Sequence, residues 1–316
     1  MNGKKVSLIC TVFNEERNIK QFLDSIISQT VKPKEVIIVD GGSKDKTFKI
    51  LKEYSKKYSW ITVYQVKGAS IAEGRNFAIE RAKGEIIFTS DSSTYFEKDW
   101  IKKILKGFNK GADVVFGKYH SNPKTLIERF LVSRLPAWEK VDEKKFIPSN
   151  RHVAFRKEVW ERVGKFPPHI KRADDNWFHS LAHKQGFKYK FVKEAQVFWL
   201  FDRNLKNMIR LAFLDSKSEG FTNLFLERKI YLAEIALLFL GLVFFIFGIF
   251  LNWKIFVYPL VLGVILFSFF TFFSVYKKTK NLLVSIVGIP LMIILYFSHV
   301  TGVLTGMVQR VYKKKE

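Results

Sequence analysis

The chain has 316 residues, a formal net charge of +24 and 48% hydrophobic residues, a length that supports about two domains and a large buried core. A single uniform globule is excluded, because the two properties segregate: charged residues spread through positions 1–229, whereas Glu234 to Tyr276 is almost continuously apolar, with charge only at Lys254. The lone cysteine, Cys10, excludes a disulfide within the chain and reads as a buried thiol on a strand.

From the N-terminus, short β-branched runs alternate with helical patterns: VSLICTV, a helix over 17–29, EVIIVD, a helix over 46–58, ITVYQV, a helix over 71–82, and EIIFTS. This βαβαβαβ order predicts a parallel sheet of the nucleotide-binding type. In such sheets the residues just past the strand ends face the ligand, which selects Phe13, Asn14 and Glu15, then Asp40, then Asp91. VSLICTVF is followed at once by Asn14, Glu15 and Glu16, not by a small-residue cleavage site, so no export signal is expected there and this domain is placed in the cytosol.

The phrase VDGGSKDKT ends a strand with an acid and then turns on Gly41 and Gly42. Ser43 and Asp45 are expected to cap the next helix, and Asp40 suits a hydrogen bond to a base or ribose. Neither GxGxxG nor GxxxxGK occurs, so a dinucleotide fold and a P-loop kinase are not supported. Further on, Asp175, His179 and His183 recur every four residues and share a helix face able to take zinc. With no cysteine or third ligand at a familiar spacing and no HExxH, the expectation is two solvent-facing histidines.

The segment 205–225 reads as an amphipathic helix on a bilayer surface, with Lys206, Arg210, Lys217 and Arg228 near lipid phosphates, or alternatively as a helix packed on the catalytic domain. Segments 230–251, 255–276 and 282–308 each reach the roughly 20 apolar residues needed to cross a bilayer. The third contains Pro290, Gly302 and Gly306 and precedes Lys313, Lys314 and Lys315, so it either crosses against the positive-inside rule or is re-entrant or interfacial and returns the tail to the cytosolic side. The basic charge is assigned to membrane adjacency and no nucleic acid partner is expected, since no helix-turn-helix, zinc finger or RNP pattern is present.

The motifs TVFNEERNI, VDGGSKDKT, GRNFAIERAKGEIIF, VGKFPPHIKRADDNWF and FWLFDR occur in this order and together resemble the family-2 glycosyltransferases of GT-A fold, from Val6 to about Arg210. The resemblance implies an α/β, Rossmann-like, mostly parallel sheet over 1–203, an interfacial region over 204–229 and an all-α transmembrane region over 230–316. It implies a UDP- or GDP-linked sugar donor held by Thr11, Phe13, Asn14, Glu15, Asp40, Arg75 and Asp91, with Asp91 as the first acid of the family's Asp-x-Asp motif. The second acid falls on Ser93, a weak ligand, so a divalent cation (Mg²⁺ or Mn²⁺) is expected to bind through Asp91, substrate phosphates and water. Gly41 likewise stands where an Asp is often found.

Asp174 and Asp175 match the family's Glu-Asp pair, in which the second acid is the catalytic base. The acceptor and membrane side is expected along 118–151 and beyond, including Trp138, Asn150, Arg172, Trp199 and Arg203. Gln-x-x-Arg-Trp of the processive synthases is reduced to Arg210, which favours addition of one or a few sugars. The implied protein is a multi-pass membrane enzyme, similar to dolichyl-phosphate sugar synthases, with its catalytic domain on the cytosolic face, membrane lipids around it and a polyprenyl or dolichyl phosphate or lipid-linked glycan as acceptor. The other expectation is a catalytically impaired sugar-nucleotide or lipid-binding scaffold.

Overall fold

The computed structural model describes residues 5–170, 172–200, 204–222, 240–241, 243–248, 250 and 252–313. The chain divides into two compact units, Met1–Asn122 with Pro136–Phe201, and Pro123–Leu135 with Asp202–Glu316.

In the first unit, β1 (Val6–Val12), β2 (Glu35–Asp40), β3 (Ile61–Gln65) and β4 (Ile86–Asp91) pair in parallel, linked by α1 (Ile19–Ile27), α2 (Thr47–Lys57) and α3 (Ile71–Arg81). β1, β2 and β4 are buried nearly end to end, as a strand covered on both faces must be, and this is why their sequences are continuous apolar runs. Burial also pushes the Cys10 thiol well above its usual pKa, in keeping with an inert core thiol.

The chain continues through β5 (Thr94–Phe96), α4 (Trp100–Phe108), β6 (Val114–Ser121) and α5 (Leu126–Ser133), which belongs to the second unit. It returns as β7 (Val153–Arg156), α6 (Lys157–Val163), α7 (Asp174–Lys184) and β8 (Tyr189–Trp199). The eight-stranded sheet has the order β3-β2-β1-β4-β7-β6-β8-β5. β7 runs antiparallel to both β4 and β6, and β5 antiparallel to β8, so the sheet is mixed; the expected parallel pairing holds through β3-β2-β1-β4, and β6 also pairs in parallel with β8.

The strand order reverses between β1 and β4, and an α/β sheet opens a ligand crevice at the carboxyl ends of such strands. There the register places Thr11 beside Asp91 and Val12 beside Asp40. α3 lies so close over β1 that a Cβ on Gly74 would fall 2.7 Å from Thr11 Cγ2. This close approach sets the next residue, Arg75, against the crevice. A capping box fixes where α3 begins, Ser70 Oγ accepting from Glu73 N and Glu73 Oε2 accepting from Ser70 N.

In the second unit, Phe130 of α5, Met208 of α8 (Leu205–Thr222), Val275 of α9 (Trp253–Thr279), and Val284 and Leu291 of α10 (Leu282–Lys313) form one apolar core. α8 and α10 meet at glycines: a Cβ on Gly302 would lie 2.5 Å from Phe213 O, and Gly306 abuts Lys217 O in the same way. The expected surface helix is therefore present, but its buried face, including Met208, Ser216 and Gly220, rests on the last apolar helix. The expected division at 229/230 does not separate α8 from the apolar helices, and Pro123–Leu135, expected in the catalytic domain, joins them.

Among the described residues, two helical stretches are long and apolar enough to cross a membrane: Val257–Thr279, with mean hydropathy 2.0 and 6% of its most apolar window buried, and Leu282–Tyr312, with 2.1 and 28%. α10 runs unbroken through Pro290. Most of the expected first segment, 230–251, and Arg203, Arg228, Lys314 and Lys315 lie outside the described residues.

Candidate active site

The first wall of the crevice is a clasp between the β1–α1 and β2–α2 loops. Asn14 N donates to Ser43 Oγ (2.9 Å), Glu15 N to Thr47 Oγ1 (2.8 Å) and Glu16 N to Asp45 Oδ2 (3.1 Å), while Lys44 N donates back to Asn14 Oδ1 (2.8 Å). Asn14 takes φ 54°, a left-handed conformation that Asn tolerates, to turn these amides toward the second loop. Phe13 is left 57% exposed at the rim. Glu15 is raised by burial and further by the nearby charge of Asp91, which sets the clasp beside the acid.

Asp40 corrects an expectation. It is fully buried, and Oδ2 accepts from Gly42 N (3.1 Å), Ser43 N (3.0 Å) and Gln65 Nε2 (2.9 Å), with Ser43 Oγ donating to Oδ1. The turn curls back on its own strand end, helped by Gly42 at φ 97°, and this acid organises the loop instead of facing the crevice. Ser43 and Asp45 are also more than helix caps. Lys46 holds the N-cap position of α2, and the side chains of Ser43 and Asp45 tie the two loops together.

The second wall is a chain of charges. The buried Arg75 guanidinium donates through Nη1 to Asp174 Oδ2 (2.6 Å) and through Nη2 to Asp91 Oδ1 (3.2 Å). Arg151 Nε lies 3.4 Å from Asp91 Oδ2, and its guanidinium sits over the rings of Trp199 (4.2 Å) and Tyr119 (5.2 Å). Burial alone would raise the Asp91 carboxyl, but Arg151 and Arg75 outweigh it and hold the group below the usual carboxylate range. The same acids, against the cost of burial, hold Arg75 firmly protonated.

Asp91 opens a tight turn, Asp91-Ser92-Ser93-Thr94, in which Thr94 Oγ1 donates to Asp91 O (2.7 Å), and Leu200 N, just past β8, donates to Ser93 O (2.8 Å). Its side chain is 30% exposed, so it can be reached from solvent.

Asp174 and Asp175 open α7 behind Ala173, whose φ of 55° is a left-handed conformation without the excuse of glycine. Backbone strain of this kind costs about 1–3 kcal/mol and persists where the surroundings fix it; here Phe178, stacked on Phe166 at 4.4 Å, anchors the first turn. Arg172 immediately precedes Ala173. Asp174 is 3% exposed and held by Arg75, whereas Asp175 Oδ2 accepts from Asn150 N (3.2 Å). Burial, then the charge of Asp174, pushes Asp175 up to about 6.

Asn150, placed by its sequence on the acceptor side, is 1% exposed; Thr89 Oγ1 donates to its Oδ1 (3.2 Å), and its buried Nδ2 has no protein partner. Trp138, expected on the same side, is instead buried against Phe191, Tyr119 and His152. Trp199 forms the platform under Arg151.

The histidines of α7 also differ from expectation. His179 is fully buried with Nδ1 2.9 Å from Tyr189 OH, and His183 Nε2 lies 2.9 Å from Phe146 O, because this face of α7 packs on the sheet. Sequence reasoning placed Arg151 only at the end of the acceptor-side stretch and missed its ion pair with Asp91. The signal available was only its place between Asn150 and the short apolar run 153–155, because β7 is four residues long and antiparallel.

The cluster can be tested for a divalent cation. Three carboxylates, Asp91, Asp174 and Asp175, face two guanidiniums, so it is net negative, and an incoming diphosphate would be repelled without added positive charge. Asp91 is the exposed acid able to accept a cation. Among the described residues no group of three or more His, Cys, Asp or Glu is placed to hold one unaided, so phosphate and water would complete the shell.

A mixed sheet with its acids gathered at the β1/β4 switch point is the arrangement of the GT-A fold, and solved structures agree. Mannosyltransferase PcManGT from Pyrobaculum calidifontis, in complex with GDP-Man and Mn²⁺, matches with TM-score 0.58 and 17% identity over 98% of this chain and 88% of that one. S. aureus TarS 1-349 in complex with UDP matches with TM-score 0.51 and 17% identity over 99% and 92%. Residues 7–189 match glycosyl transferase family 2, and the chain belongs to that family.

Among curated relatives, the poly(ribitol-phosphate) beta-glucosyltransferase of Bacillus spizizenii is 30% identical over 65% of this chain and 33% of that protein. Glycosyltransferase AglE of Haloferax volcanii is 28% identical over 60% and 65%. The match thus spans less than two thirds of either relative.

Proposed function

We propose that the chain is a membrane-associated, inverting and non-processive glycosyltransferase that moves one sugar from a UDP- or GDP-linked donor to a lipid-linked acceptor. The observation that carries the reading is Asp175, a carboxylate raised to about 6 and fixed by the Asn150 amide, one residue from an acid locked to Arg75. A base of this strength is ionised at neutral pH yet more basic than an ordinary carboxylate, which suits it to take the proton of an acceptor hydroxyl as that oxygen attacks the sugar. Asp174 cannot share the task, because Arg75 holds it; it positions α7 instead.

Arg75 and Arg151 set two guanidiniums on either side of Asp91, where they favour the growing charge on a departing diphosphate. A divalent cation held through Asp91, with Ser93 as a weak neutral neighbour, would supply the remaining positive charge; PcManGT carries Mn²⁺ with its GDP-Man. The lipid-linked acceptor is supported by α9 and α10, whose exposed apolar surfaces suit a bilayer. The intact Asp91, Arg75, Asp174 and Asp175 network favours catalysis over a scaffold role.

The test is transfer of labelled sugar from a panel of UDP- and GDP-sugars into organic-extractable lipid, by membranes holding the protein or Asp175→Asn. Label that appears with the wild type and vanishes with the variant supports the reading. Label retained by the variant removes Asp175 from the base role.

A further inference from the structure

α10 is long and apolar enough to cross a membrane, yet its two sides differ. Val284, Gly288, Leu291, Ser298, Gly302 and Gly306 are buried, and at 3.6 residues per turn they fall within an arc of about 80°. Leu283, Ile286, Phe297, Leu304, Val308 and Val311 are 50–63% exposed, and they fill a second arc of about 80°, turned roughly 140° from the first. The first side is covered by helices that carry charge. α5 abuts Gly288 through Phe130, and the chain enters and leaves α5 from the first unit at Asn122 and Pro136. α8 then runs beside α10 in the same direction: Met208 shares a core with Leu291, Phe213 and Lys217 meet Gly302, and Phe221 meets Gly306. Ser216 Oγ and His299 Nδ1 stand 2.5 Å apart in this seam. Lys206, Arg210, Asp215, Lys217 and Glu219 are spread along α8, with Lys206 and Arg210 exposed; the five span about 20 Å of axis.

Over the stretch 288–306, about 27 Å of axis, α10 is thus accompanied by α5 or α8, and a hydrocarbon core is only roughly 30 Å thick. A crossing α10 would take the charges of α8 into that core with it, where charged side chains are costly. We infer that α10 lies in the surface of an anionic bilayer instead of across it, its exposed apolar stripe sunk to the boundary between head groups and acyl chains and its other side roofed by α5 and α8. An interfacial helix buries its apolar face about 5–10 Å deep in this way. Lys277, Lys278 and Lys280 before α10 and Arg310 and Lys313 at its end then lie at one level, where anionic head groups attract them and none has to be carried across. α9 is different, being apolar and almost uncovered along its length, and it keeps the character of a crossing helix. The inference rests on the membrane association proposed above.

The experiment uses the full chain carrying Cys10→Ala, reconstituted in phosphatidylcholine vesicles containing phosphatidylglycerol, with a nitroxide on one introduced cysteine at a time. Flotation first reads membrane association. Collision of the nitroxide with oxygen and with a water-soluble nickel chelate then reads its depth against lipids labelled along the acyl chain. Leu283→Cys, Phe297→Cys and Val308→Cys, all on the exposed stripe, are expected to report one shallow depth. In sealed inverted membrane vesicles, an impermeant maleimide should reach Lys277→Cys and Tyr312→Cys, at the two ends of α10, from the same side. Phe297→Cys near the bilayer centre with the other two labels shallow, or the two ends labelled from opposite sides, overturns this inference alone. A protein that does not float overturns it together with the membrane association.

Discussion

Arg75 and Asp174 are 99 positions apart in the chain and meet across 2.6 Å in a buried ion pair. Removing one partner of such a pair leaves an uncompensated buried charge and costs about 3–5 kcal/mol. Arg75→Met is expected to lower the thermal unfolding temperature sharply and abolish transfer. Arg75→Lys keeps the charge but loses the planar fork that spans Asp174 and Asp91, so kcat/KM should fall about 100-fold with a smaller loss of stability.

Asp175→Asn should reduce sugar transfer below about 1% while the dissociation constant for the donor nucleotide changes less than about twofold, because a base is lost and a donor contact is not. In the wild type kcat/KM should rise with pH through about 6 and then level, following ionisation of this group. Stability has the opposite sign. A carboxyl raised in the folded state costs nothing below its ordinary range and destabilises as pH climbs through about 6. After discounting for its partial solvent access, Asp175→Asn should be more stable than wild type by roughly 1–2 kcal/mol at pH 8 and no more stable at pH 3.5.

Arg151→Gln removes the first of the two charges that hold Asp91 low. A depressed carboxyl contributes stability above its ordinary range and loses it as pH falls through the folded value. The variant should therefore lose its acid resistance at a higher pH, and its KM for the donor should rise about tenfold. Acid unfolding and initial-rate kinetics check the two parts separately.

Ser93→Asp adds a second carboxylate to the turn after Asp91. It should lower the Mn²⁺ concentration giving half-maximal activity by about tenfold, since affinity for hard cations follows the count of charged oxygen ligands. Chelator treatment should reduce wild-type transfer, and metal titration of both proteins reads the difference.

Gly74→Ala would set a methyl group 2.7 Å from Thr11 Cγ2. Overpacking of this kind costs about 1–3 kcal/mol. The variant should also transfer more slowly, because α3 must shift and Arg75 moves with it; thermal unfolding together with kcat measures both.

The parallel half of the sheet was legible because each strand is a continuous apolar run ending in polar residues, and each helix between them follows its own period. The family motifs pointed to Asp91, Asp174 and Asp175; Arg75 bridges the first two, and Asp175 sits next to Asp174 and accepts from the Asn150 amide. What stayed hidden depends on contacts between distant segments. Asp40 carried the right residue type at a strand end, but nothing local reveals that its own turn and Gln65 consume both oxygens. Trp138 and His179 looked available for ligands because polarity along the chain does not report burial, and both are enclosed by aromatic neighbours from other elements. Arg151 became a site residue only when a short antiparallel strand placed it beside Asp91. α5, read as part of the catalytic stretch, has a capping box and an apolar face like any other helix; only its partners, Met208 and Val284, show that it belongs with the apolar helices.

The excursion of Pro123–Leu135 into the second unit means that the two units are stitched together by three crossings of the chain. No single cut separates them. A protein shortened after residue 201 would retain α5 but lose Met208, Val275, Val284 and Leu291, which form one core with Phe130, a fully buried side chain. It would also bare Ile127 and Leu131, giving an isolated apolar face that promotes self-association. A soluble form of the sugar-transfer unit requires the loop from 123 to 135 to be replaced by a short polar linker as well as removal of the C-terminal helices.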